Sequence, residues 1–424
     1  MATKEIFSAF FNISGLYYEK LGFLHMNLSD NRISRYWAFI ILCAVGGFAI
    51  FSSTLSKNPV LPILASQIGA DKPTIGLIAA ASTVTGILTS LPAGLLSDRR
   101  GRKPVLIGSG LVFFTAPILY FLIQTPWQLG LVRVYHGLAT AVFGPVAMAY
   151  VADLAPSRRG ERLGYYSSTT LAGRALAPIV GGAILTGATW PWIYLVCAIA
   201  GLITLAGIFF LPSPRAFSSL PDPSSSPHPP LSVIMADRNI LITSIAEAAQ
   251  YLAFGALEAF LPLYALSVGV NLVQVGFLFG AQIGVRTLAR PILGIFSDRH
   301  GRKLPIFSGL IFTAVTMACF PLTSSFWVLL FLSVLFGLGL STASAATSAF
   351  VADMAPTASR GAALGWMSTI MDVGQASGPV LLGAVLVAGT YLAGFALIGS
   401  IVLVSSILFW LLAREAKMIE TRHD

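Results

Sequence analysis

"GLLSDRRGRK" (94–103) and "GIFSDRHGRK" (294–303) are one motif written twice, two hundred residues apart. Each copy is a short polar, basic knot between long apolar stretches. The same offset aligns "NPVLPILASQIG" (58–69) with "EAFLPLYALSVG" (258–269), placing Pro62 over Pro262 and Gly69 over Gly269. It also aligns "YVADLAP" (150–156) with "FVADMAP" (350–356), placing Asp153 over Asp353. After a one-residue insertion, Gly164 matches Gly365 and Pro178 matches Pro379. Matches in constant order at a constant offset mark two structural copies of one unit.

The units are built for lipid. Of the 424 residues, 56% are hydrophobic and 10% charged, and mean hydropathy is +0.81. Soluble chains carry about 25% charged residues. Apolar runs of roughly twenty residues predict twelve spans: 36–63, 73–97, 104–123, 127–153, 161–186, 190–211, 238–265, 272–297, 304–323, 327–353, 361–387 and 391–413. The predicted fold class is an all-α polytopic membrane protein with two pseudo-symmetric six-helix bundles. Six is even, so the bundles share one orientation, as parallel repeats do.

The net charge of +9 raises the question of a nucleic-acid partner, and its placement argues against one. With the N-terminus inside, 20 of the 26 Lys and Arg residues fall on the inner side and only Lys72 in an outer loop. This is the positive-inside pattern. It predicts cytoplasmic termini and a bacterial or archaeal cytoplasmic membrane.

Segments 1–35 and 414–424 are read as a cytoplasmic amphipathic stretch lying on the membrane face and a cytoplasmic tail. Residues 212–237 hold seven of the 24 prolines and read as a flexible linker. It separates bundle 36–211 from bundle 238–413. A cleavable signal is not expected in the first 35 residues, because Glu19 and Lys20 interrupt the apolar run there. Cys43, Cys197 and Cys319 all fall inside spans with no metal-ligand spacing, so no cofactor or metal is expected.

At the knots, Gly101 and Gly301 permit tight turns after Gly94 and Gly294. Asp98 is the unusual member, because a carboxylate at the bilayer edge needs partners. It can accept from Arg102 or sit at a helix N-terminus. Asp153 can pair with Arg99 or Arg102. The second half repeats the set as Asp298, Arg299, Arg302 and Asp353. Such a salt-bridge latch holds one conformation and breaks in another.

With these motifs the chain resembles the major facilitator superfamily from about residue 36 onward, and within it the drug:proton antiporter branch. The resemblance makes the knots a latch closing the cytoplasmic side in the outward-open state. "LVRVYHGLATA" (131–141) is similar to that family's span-four motif, through Arg133 and Gly137. "GRALAPIVGG" (173–182) is similar to its span-five antiporter motif, through Gly173, Pro178, Gly181 and Gly182, with Ala177 where Gly is usual. "GQASGPVLLG" (374–383) echoes it through Gly374, Gly378, Pro379 and Gly383. Physically, these small residues permit close helix packing.

Charges inside spans are functional candidates by default. The first half offers Lys57, Arg133 and Arg174, all cationic. The second offers Glu247, Glu258, Arg286, Arg290 and Asp372. Glu247, Tyr251, Phe254 and Glu258 share one helical face, as do Gln282, Arg286 and Arg290. Both faces should meet the central cavity or each other, and Gln375 joins the candidate pathway with Asp372. Each residue also has a plainer role: Arg290 bracing the knot, Arg133 tethering spans, Lys57 either pairing with Glu258 at an outer gate or snorkelling outward. Glu247 or Asp372 would carry the proton, since a carboxyl withdrawn from water can exchange one near neutral pH.

The expectation is a proton-coupled exporter of a small, anionic or amphipathic organic solute, working as a monomer by alternating access. An importer or facilitator on the same scaffold, or a non-transporting sensor, is the alternative. An intramembrane enzyme is disfavoured, because HExxH, GxSxG and Cys/His clusters are all lacking and His136 is the one histidine within a span.

Overall fold

A computed structural model of the chain describes residues 31–154, 159–187, 189–212, 235–356 and 359–414. Residues 1–30 of the amphipathic stretch, most of the linker and the tail beyond residue 414 lie outside these residues, while residues 31–35, read as part of that stretch, begin the first helix. Thirteen α-helices account for nearly all of the described chain. They are α1 (Asn31–Leu55), α2 (Val60–Gln67), α3 (Lys72–Arg100), α4 (Arg102–Leu119), α5 (Pro126–Leu154), α6 (Arg159–Gly187), α7 (Trp190–Phe210), α8 (Arg238–Ser267), α9 (Leu272–His300), α10 (Lys303–Cys319), α11 (Phe326–Met354), α12 (Arg360–Val385) and α13 (Tyr391–Leu412). The first expected span is the pair α1 and α2, joined by the turn at residues 56–59.

Local chemistry sets the helix ends. Asp71 caps α3 by accepting from the Thr74 amide at 3.0 Å. Its repeat mate Asn271 caps α9 in a full capping box with Gln274. Gly101 and Gly301 follow the ends of α3 and α9 with φ of 92° and 85°, left-handed conformations that glycine adopts without steric cost.

Among the described residues, eleven stretches are long and apolar enough to cross a membrane. The twelfth expected span is α12, with 26 residues. It is long enough but diluted by Asp372, Gln375 and small polar residues. Its position explains why: α12 lies between α8 and α3 rather than against lipid alone.

Packing repeats with the sequence. In the first half α1 packs on α6, α3 on α5 and α4 on α7; in the second, α8 packs on α12, α9 on α11 and α10 on α13. The halves meet through two symmetric pairs, α3 with α12 and α6 with α9. Both contacts are tightest at the end away from the knots. A Cβ on Gly76 would strike the backbone of Pro379 and Val380, and one on Gly182 would strike Leu272 and Gly276. At the knot end, Gly94 on α3 and Gly361 on α12 have no neighbour within 4 Å of such a Cβ.

The apolar cores agree. One cluster joins the halves at the far end, including Leu55, Leu61 and Ile75 with Leu257, Phe260 and Val275. Toward the knots each half has its own cluster, around Leu106 and Tyr150 in one and Ile240 and Met367 in the other. The molecule is therefore sealed at the far end and splayed at the knot end.

Candidate functional site

Between the halves lies a cavity of about 330 Å³. It is lined by α1, α3, α5 and α6 from one half and α8, α9 and α12 from the other. Four cations line it, Lys57, Arg133, Arg174 and Arg286, against two carboxylates, Glu258 and Asp372. Tyr251, Phe254, Gln375 and several Ser and Thr hydroxyls complete the wall. The sequence-derived set thus comes together largely as expected from helical spacing, with three differences.

Arg133 is 1% exposed and has no carboxylate partner among the described residues. Its guanidinium donates to the Ser82 hydroxyl at 2.6 Å and to the Tyr120 hydroxyl at 3.2 Å. Tyr120 stacks on Tyr194 with ring centroids 3.8 Å apart, and its hydroxyl lies 3.3 Å from Nδ1 of His136. Arg133 Nε and His136 Nε2 are buried without partners. Gly137, one turn on from Arg133, lets α5 close on α3 at Ser82, which delivers the hydroxyl to the arginine. Arg286, opposite, donates to the Tyr251 hydroxyl and lies 5.2 Å from the Tyr251 ring centroid and 5.5 Å from that of Phe254.

The first difference concerns the gate. Lys57 and Glu258 both line the cavity but make no ion pair. Glu258 instead accepts from the Asn58 side-chain amide at 2.6 Å. The helix breaks after Leu55, so residues 56–59 follow a turn and helical spacing no longer predicts which of them faces α8. Asn58 was not singled out from the sequence. The offset of two hundred, which pairs it with Glu258, was the available signal.

The second difference is Glu247, which does not line the cavity. It is 2% exposed and accepts from the Thr347 hydroxyl of α11 at 2.8 Å. The face shared by Glu247, Tyr251, Phe254 and Glu258 is real, but toward the knots α11 covers it. The third is Gln282, 1% exposed. Its backbone packs against Gly337 of α11 and its side-chain amide has no partner. Arg290 is exposed on α9 and outside the cavity lining.

At the knots, Arg102 rather than Arg99 is the partner of both aspartates. It pairs with Asp98, reaches Asp153 at 3.2 Å and donates to Ser97 at 2.7 Å. The second half repeats this through Arg302, which pairs with Asp298, reaches Asp353 at 3.1 Å and donates to Ser297 at 3.3 Å. Arg99 and Arg299 are exposed. All these ion pairs lie within one half.

The packing motifs hold α6 and α12 on two sides at once. Gly173 packs on α1 at Gly47, and Gly181 lies against Leu55 and Asn58. The Pro178 carbonyl and Gly182 meet α9 at Gly276. Gly378 packs on α8 at Leu252, while the Pro379 carbonyl meets α3 at Gly76. Ala177 is fully buried.

A family model described as "Major Facilitator Superfamily" matches residues 39–287 and 243–423. An uncharacterized MFS-type transporter of Methanocaldococcus jannaschii is 25% identical over 333 residues, 77% of this chain and 85% of that protein. The multidrug resistance protein MdtG of Proteus mirabilis is 27% identical over 341 residues, 77% of this chain and 83% of that protein. Among solved structures, a bacterial homolog of the human lysosomal transporter Spinster, inward-facing and occupied, aligns with TM-score 0.75 at 15% identity, covering 89% of this chain and 96% of that one. The nucleoside transporter NupG aligns with TM-score 0.72 at 14% identity, covering 90% and 99%. At such identities the structural likeness speaks for the fold.

Proposed function

The chain belongs to the Major Facilitator Superfamily, and from that premise we propose that this integral membrane transporter is a proton-coupled exporter of a small anionic or amphipathic organic solute. The observation that carries this reading is the central cavity. It is shared by both halves, sealed at one end, and lined by four cations against two carboxylates. Resemblance to MdtG and the antiporter-like motif on α6 favour export.

The positive-inside pattern supports placing the knots and both termini in the cytoplasm of a bacterium or archaeon. The cavity then opens inward, ready to load cytoplasmic cargo, and one chain suffices for the cycle. Rocking of the halves about α3–α12 and α6–α9 would close the knot end and open the far end. With the halves together, the knot arginines and aspartates act as the latch.

Asp372 and Glu247 are the proton-exchanging carboxyls of this proposal. Asp372 faces the cavity, where Lys57 lies within electrostatic range. Glu247 is withdrawn from water, with one hydroxyl partner.

The test is efflux from cells or proteoliposomes under an imposed pH gradient, with MdtG-type drugs and organic acids as trial cargo. Wild type should build a cargo gradient that collapses with the proton gradient. The double variant D372N/E247Q should lose that coupling. Unchanged coupling in the double variant removes the proton assignment, and accumulation in the opposite direction makes the protein an importer.

A further inference from the structure

The four cavity cations are not equivalent. Arg133 is held by Ser82 and Tyr120, and Arg286 by Tyr251 and two aromatic rings. These two are built into the walls. Among the described residues, the side chains of Lys57 and Arg174 make neither a hydrogen bond nor an ion pair, yet both line the cavity and lie within electrostatic range of each other. Arg174 is exposed to the open cavity. Glu258 lies within electrostatic range of both cations and Asp372 within range of Lys57, but among the described residues neither carboxylate forms an ion pair with either cation, so both cations keep free donors for an anion placed between them. Behind them, Arg133 Nε adds a buried donor without an acceptor, and His136 Nε2 a buried ring nitrogen without a partner among the described residues.

The opposite wall is different. Tyr251 and Phe254 pack edge to face with centroids 5.9 Å apart, and Ile283 and Met371 line the cavity beside them. One pole of the cavity is thus the cation pair on the first half, and the second half presents the Tyr251 and Phe254 rings, with Arg286 against them and Glu258 and Asp372 on the same wall. The volume of about 330 Å³ lies at the small end of the roughly 300–1,000 Å³ typical of ligand sites.

We propose that Lys57 and Arg174 form an oxyanion subsite, and that the cargo is a compact organic acid whose carboxylate, sulfonate or phosphate docks there while its apolar body rests against Tyr251 and Phe254. This deepens the transport reading and rests on it. The acid bridges the two halves, so its release would uncouple the cation pole from the aromatic pole.

The test uses the full chain in phosphatidylcholine nanodiscs, whose zwitterionic headgroups carry no net charge. Calorimetric titration compares naphthalene-2-sulfonate, naphthalene-2-carboxylate and the neutral naphthalene-2-carboxamide. The acids should bind about tenfold more tightly than the amide or better. Lys57→Gln and Arg174→Gln should each lower acid affinity about tenfold while keeping amide affinity, which also reports an intact fold. Lys57→Arg should retain the preference, and Arg290→Gln, outside the cavity, should leave it untouched. Equal affinity for acids and amide, no binding of any of the three, or an unchanged preference in both Gln variants overturns the subsite. Vesicle transport separates the two readings. Acid preference without transport removes the exporter and leaves the subsite, whereas transport without acid preference does the reverse.

Discussion

Asn58 donates to Glu258 at 2.6 Å, and the two residues hold the same place in the two copies of the repeat. The bond crosses between the halves on the sealed side of the cavity. A hydrogen bond to a charged group contributes about 1.5–3 kcal/mol, enough to bias a two-state equilibrium by roughly tenfold or more. Asn58→Ala should therefore move the population toward the far-open state by about that factor. Spin labels on cysteines at the exposed positions Gln67 and Ser267 would read this as a longer distance distribution. An unchanged distribution would mean that helix packing alone closes the far end.

Packing makes a sharper demand at Gly76, where α3 touches the backbone of α12. Gly76→Val has no room in the sealed state and should depress thermal stability and favour far-end opening. Gly86→Ala, on the same helix with no neighbour within 4 Å, should keep the melting temperature or raise it slightly through its better helix propensity. Melting curves of the two purified variants, side by side, check the contrast.

The knot pairs should matter for the cycle more than for stability. Asp98 and Asp298 are more than half exposed, at 59% and 61%, and exposed ion pairs contribute about 0–1 kcal/mol. Arg102→Gln and Arg302→Gln should shift the melting temperature little while slowing transport severalfold. Equal loss of stability and transport would assign the knots a scaffolding role only.

Asp71 offers a pH test outside the membrane. The Thr74 side chain and amide hydrogen-bond its carboxylate and hold its pKa below the usual value. A depressed folded pKa contributes stability above the unfolded value, and the contribution is lost as pH falls through the folded value. Asp71→Asn copies the uncharged cap of Asn271. It should keep the helix start and flatten the acid limb of the melting-temperature profile, measured from neutral pH to about pH 3.

Most of the architecture is legible in the sequence itself. The offset of two hundred, the apolar run lengths and the glycines at 101 and 301 are local or periodic signals, and each helix follows them to within a few residues. Even the pairing of Arg102 with Asp153 was among the options the sequence left open. The tertiary structure decided which neighbour each polar face meets. Helical periodicity put Glu247 and Glu258 on one face, but α11 covers that face near Glu247 while the cavity opens at Glu258. It likewise could not choose between Lys57 and Asn58, because the chain leaves the helix just before them and the period ends there. Nor does any sequence pattern record the conformer: the same glycines serve a closed far end or a closed knot end, and only the packing of Gly76 and Gly182 against an open Gly94 distinguishes the two. Composition and period determine which elements form and which side of each is polar. The contacts between elements far apart in the chain determine where that polarity becomes a site.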